Sequence, residues 1–118
     1  MYRVQMSLSK SGVPAVSYDS GFRQFTMSGT EVGDWVQSVG TNEEAIAFPG
    51  DIGTLGLLVV ENLDATNFVV IRTGTGVSGL VKVLPGHAVL LLLAAGATAP
   101  FAIADTLACR CRFILLEA

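Results

Sequence analysis

Any chemistry in this chain would have to come from one histidine, two cysteines and ten carboxylates spread over 118 residues. His87 directly follows Pro85-Gly86. A general base needs a nucleophile and an orienting carboxylate within hydrogen-bond reach. No G-x-S-x-G motif supplies the nucleophile, so His87 is expected as a surface turn histidine. The carboxylates lie mostly at turns and strand ends, where solvated side chains are the ordinary case. Two of them at roughly 5–9 Å could in principle hydrolyse a glycoside from facing strands, but nothing in their spacing selects a pair.

Cys109 and Cys111 form a C-x-C inside a strand-like run. Residues i and i+2 of a strand share a face with Cα atoms roughly 6.5–7 Å apart, at or past the reach of a disulfide. They are expected as two buried thiols in a reducing compartment. A metal site would need more ligands than these and the distant His87. Asn62, Asp64 and Asn67 carry oxygen ligands but lack the spacing of a calcium loop and its bidentate Glu. The segment Asn62–Asn67 is expected to bond its own backbone as a compact turn. Gly74–Gly79 spells G-x-G-x-x-G, yet no helix follows and no βαβ unit surrounds it, so it is expected as a plain loop.

The elements around these residues are strands. Val4, Met6 and Leu8 alternate with Arg3, Gln5, Ser7 and Ser9, which predicts a half-buried strand at the N-terminus. Pro14 makes the next segment an edge strand or a loop. Short strands are predicted from Phe22 to Met27, from Gly33 to Val39 around Trp35, and from Glu43 to Phe48 with Ile46 and Phe48 inward. From Leu57 the apolar runs become nearly continuous, the pattern of strands packed on both faces. Leu84–His87 fits a type I or II turn with Pro second. The closing strand runs from Leu107 to Leu116, with Arg110 and Arg112 on the face opposite the cysteines. A helix fits poorly; Leu90–Ala99 has the propensity for one, but Gly and Pro interrupt most windows. About 8–10 short strands joined by uneven turns predict one all-β domain over 1–118, a jelly-roll-like antiparallel β-sandwich. Residues 1–30 are expected as an N-terminal arm or edge strands.

Composition narrows the function class. Half the residues are hydrophobic, 51%, while only 14% are charged, and the mean hydropathy is +0.58. The longest apolar stretch, Ala88–Ala104, falls short of the roughly 20 residues of a spanning helix and contains Gly96 and Pro100. The N-terminus lacks the pattern of a secretory signal. Net charge of −3 provides no basic field for a phosphate backbone. These features predict no membrane span, no nucleic-acid binding, no cofactor and no enzyme. Strand hydrophobicity beyond what one domain of this size buries predicts self-association.

The turn motifs of the second half carry a resemblance. The chain reads ENLDATNFVVIRTG, then LVKVLPGHAVLLLL, then FAIADTLACRCRFILLE. This resembles small virion proteins of tailed bacteriophages, in which a strand leads into N-L-D-x-T-N, a K-x-x-P-G turn, a long apolar strand and a closing strand near a terminal Glu. The matching positions are Asn62, Leu63, Asp64, Thr66, Asn67, Lys82, Pro85, Gly86 and Glu117, and His87 stands where relatives often have Glu. The resemblance covers roughly the last 65 residues. It implies a capsid cement (decoration) protein bound to the major capsid protein, or else a tail, neck or fibre-associated subunit. Such a protein would be made in the bacterial cytoplasm and reside on the virion. Interface residues are expected at Tyr18, Phe22, Arg23, Phe25, Arg110 and Arg112. A carbohydrate-binding sandwich using Tyr18, Phe22 and Trp35 is the competing reading.

Overall fold

Alternation of apolar and polar side chains from Val32 onward builds two four-stranded antiparallel sheets in the computed structural model of the chain. Residues 2–94 and 96–118 are described, Phe25 by its backbone alone. Twelve strands follow in order: β1 (Tyr2–Val4), β2 (Ser7–Lys10), β3 (Val16–Asp19), β4 (Arg23–Phe25), β5 (Val32–Val39), β6 (Glu44–Ala45), β7 (Leu55–Asn62), β8 (Val69–Arg72), β9 (Val81–Val83), β10 (Ala88–Leu92), β11 (Phe101–Ala104) and β12 (Cys109–Glu117). No helix occurs among the described residues. Leu90–Ala99, the one stretch with helical propensity, begins in β10, and its remaining described residues, 93–94 and 96–99, are loop and turn.

The sheet orders are β10-β7-β12-β5 and β6-β11-β8-β9. From β5 to β12 the chain thus crosses between the sheets at every step except the β8–β9 hairpin and winds as two Greek keys, which is the jelly-roll arrangement. The core lies between the sheets. Val39, Leu58, Val60, Cys109, Cys111, Phe113 and Leu115 come from the first sheet, and Val69, Ile71, Val83, Ala102 and Ala104 from the second; all are buried. Trp35 stacks on Phe113 at 5.6 Å between ring centroids and meets Phe48 edge-on at 6.0 Å. Ile46 is buried and Phe48 packs on the core as the sequence predicts, although the strand there shrinks to Glu44–Ala45.

The first four strands stand apart from both sheets. β1 pairs with β4 and β2 with β3, each antiparallel. Residues 2–25 therefore form one long two-stranded ribbon with a register change between its halves. The expected single strand from Tyr2 to Ser9 is broken at Gln5–Met6. Its expected burial is also corrected, for Met6 and Leu8 are exposed. The reason is pairing: over β2 and β3 the ribbon closes on itself and every residue stays exposed, while Tyr2 and Val4 in β1 are half-buried. The radius of gyration, 15.3 Å, exceeds the about 13.5 Å usual for a chain of this length, as a projecting ribbon requires.

Candidate functional site: two interaction surfaces

The residues best equipped for chemistry are used for structure. Cys109 and Cys111 are buried thiols, and burial pushes Cys111 up to about 12, with Cys109 and Asp64 adding to the shift. At that value the thiol stays protonated at neutral pH and is a poor nucleophile. The His87 ring lies 2.9 Å from the Pro85 carbonyl at an exposed turn. Among the described residues no group of three or more His, Cys, Asp or Glu converges in a metal-holding arrangement.

Asn62–Asn67 and Leu84–His87 form a single corner. The Asn62 backbone donates to His87 O at 2.9 Å and accepts from Gly86 N at 3.0 Å. Gly86 has φ of +71°, so the turn is type II, closed by His87 N to Leu84 O at 3.0 Å. The fully buried Asn62 side chain donates to Asn67 O and Val83 O and accepts from Asp64 N. Asp64 Oδ2 accepts from the backbone N–H of Asn67 and of Thr66. Those two N–H groups hold the Asp64 carboxyl below the usual aspartate range. Asn62 Oδ1 and Asp64 Oδ2 are thus engaged by the turn's own N–H groups, and Asn67 Oδ1 accepts from the Thr106 hydroxyl at 2.7 Å. The G-x-G-x-x-G stretch is a loop: Gly76 N donates to Glu43 Oε1, and Gly79 packs on Val70, covering part of the second sheet's outer face.

The first sheet is different, because aliphatic side chains line its outer face as well. Val32, Leu116, Leu57 and Leu92 are register partners in a row across four strands, and Ile114, Val59 and Leu90 form the next row. Val32 and Leu92, on the two edge strands, are 57% and 66% exposed, whereas Leu57 between them is 3% exposed and Leu116, Ile114, Val59 and Leu90 are half-buried. Beyond these rows lie Val36, Arg112 and Glu61, then Ser38 and Arg110. Arg112 grips Asp34 with two hydrogen bonds of 2.9 and 2.8 Å. That contact lowers the Asp34 pKa and raises that of Arg112. An aliphatic sheet face exposed at both edges is a candidate contact site.

The ribbon offers the second surface. Met6 and Leu8 share a side with Val16 and Tyr18, since Leu8 is the register partner of Tyr18 and Lys10 of Val16. Ser7, Ser9, Ser17 and Asp19 take the other side. Leu8 is 60% exposed, Tyr18 51%, and Phe22, at the register change, 72%. Of the six residues expected at an interface, Tyr18, Phe22 and Arg23 lie on this ribbon and Arg110 and Arg112 on the sheet face. The side chain of Phe25 lies outside the described residues. The sequence reading missed Leu92, Leu116, Ile114 and Val32, although the two-sided apolar pattern of β7, β10 and β12 was their signal. Trp35, assigned to a sugar platform in the competing reading, packs instead against Phe113 and Phe48 on the inner side of β5.

Between the sheets' edges, Ile71, Leu80, Val81, Leu91, Leu93 and Pro100 are among the residues lining an apolar cavity of about 400 Å³. Comparison with protein-family models, with curated proteins and with solved structures returns no match.

Proposed function

We propose that this chain is a non-enzymatic structural subunit of a phage particle, a capsid cement protein that binds the major capsid protein and reinforces the head. The observation that carries the reading is the aliphatic outer face of β10-β7-β12-β5, open at its Val32 and Leu92 edges. A sandwich whose outer sheet face is apolar gains by covering that face with another protein. Jelly rolls serve in capsids, lectins and cupins alike, so the fold is an analogy and the surface is the argument. The resemblance of the Asn62–Asn67 and Lys82–Gly86 motifs to phage virion proteins supports the same reading. So does their union in one hydrogen-bonded corner, where they fix the fold and leave the surfaces to differ. The lectin-like alternative loses Trp35 as a sugar platform, because that ring is packed inward.

A particle reconstruction is the test. Density for this chain over junctions of the shell, with capsids lacking it losing DNA at lower temperature, is the expected result. Density on the tail, neck or fibres moves the chain to the neighbouring structural class. Absence from the particle overturns the proposal.

A further inference from the structure

Two apolar surfaces on one chain stay partly open, and the segments that carry them have opposite net charge, although the sheet face itself balances Asp34 and Glu61 against Arg110 and Arg112. The first 25 residues of the sequence, which include the ribbon, hold Arg3, Lys10 and Arg23 against Asp19, a net of +2 by count. The remaining residues, 26–118, hold four basic and nine acidic side chains, a net of −5, and the two segments together give the chain's −3. Ribbon against ribbon and sandwich against sandwich therefore repel, whereas ribbon against sandwich attracts. Dimensions agree with that pairing. The apolar side from Met6 to Lys10 spans about 14 Å at strand rise, and a row across four strands spans about 14 Å at their spacing. A lone two-stranded ribbon is marginal in water and gains from a surface to lie on.

We propose that the ribbon of one copy lies, apolar side down, on the outer face of β10-β7-β12-β5 of a second copy. Met6, Leu8, Val16 and Tyr18 cover the rows of Val32, Leu116 and Leu92, with Lys10 brought toward the acidic sandwich. The contact joins unlike surfaces, so it is heterologous, and repeated around an axis it closes a ring. The inference rests on reading the chain as an assembling subunit but not on its place in a particle. Particle location and solution association therefore fail separately.

The test mixes two full-length variants. L8E/Y18E spoils the ribbon and V32E/L92E spoils the sheet face; all four positions are exposed within one chain, so folding should survive, with circular dichroism as the check. In sedimentation velocity the unaltered chain is expected to associate, and each variant alone to run as a monomer. Their equimolar mixture is expected to regain a dimer and stop there, because one intact ribbon and one intact face remain. A monomeric unaltered chain at high concentration overturns the proposal. So does either variant associating as the unaltered chain does, or a mixture that stays monomeric. If V32E/L92E loses its folded spectrum, Leu92→Ser takes its place with the same outcomes.

Discussion

Replacing Asn62 by Ala should be the costliest polar substitution in the second half of the chain. The side chain is fully buried and makes three hydrogen bonds, to Asn67 O at 2.8 Å, Val83 O at 3.2 Å and Asp64 N at 3.0 Å. Alanine strands two carbonyls and one N–H with no room for solvent to replace the lost partner in a close-packed interior. At roughly 1–1.3 kcal/mol for each group left unpaired, the loss comes to about 3–4 kcal/mol. A domain of this length unfolds with an entropy of about 0.25 kcal/mol per kelvin, so the melting temperature should fall by about 12–16 °C. Asn62→Asp keeps the shape and the bond from Asp64 N, but sets oxygen against two carbonyls, and should be at least as damaging. Asn42, exposed in the loop before β6, provides the control, with Asn42→Ala within about 0.5 kcal/mol of the unaltered chain. Urea titration followed by circular dichroism gives the free energies. An Asn62→Ala loss below about 1 kcal/mol would refute the view that this side chain ties three segments together.

Other expectations concern acid, thiols and close approach. Asp64, Glu43 and Asp34 all have carboxyl pKa values below the usual range, held by turn N–H groups, Arg72 and Arg112 respectively. Their folded values lie below their unfolded ones, so their stabilisation is complete above the ordinary carboxylate pKa and fades as pH falls through it to the folded values. Urea midpoints measured from neutral to acid pH should decline over that window, and less steeply in Asp64→Asn. Cys109 and Cys111 should react with a disulfide reagent at neutral pH only after unfolding in urea; rapid native labelling of both would contradict their burial. Gly56→Ala would bring a Cβ within 2.7 Å of Leu116 O, and thermal unfolding should reveal a loss of about 1–3 kcal/mol. Gly50→Ala, with open space around the new methyl, should leave stability nearly unchanged.

The sandwich strands could be read from the sequence where alternation coincided with burial. Cys109, Cys111, Phe113 and Leu115 face the core while Arg110 and Arg112 face away, as their spacing implies. At the N-terminus the alternation was equally clear and misled, because a period of two says that two faces differ and not what lies against them. Met6 and Leu8 share a face, but the partner strand is their own hairpin. The Asn62–Asn67 turn was legible from its side chains, whereas its junction with Gly86 and His87 was not. That junction depends on β7 and β10 being neighbours, a long-range pairing that local spacing does not encode. The open sheet face was half legible: β7 reads as apolar on both sides, yet only the register across four strands aligns Val32, Leu116, Leu57 and Leu92.

The position of β12 also bears on synthesis. It lies inside its sheet, hydrogen-bonded to β5 on one side and to β7 on the other. Until Cys109–Glu117 has left the ribosome, β5 and β7 have no strand to join them, and each presents an unpaired apolar edge. The ribbon, by contrast, pairs only with itself, so its pairing needs no residue beyond 25, although alone it is marginal. A nascent chain stalled before β12 would thus carry a marginal arm on an unfinished body, the state most prone to capture by strand edges of its neighbours.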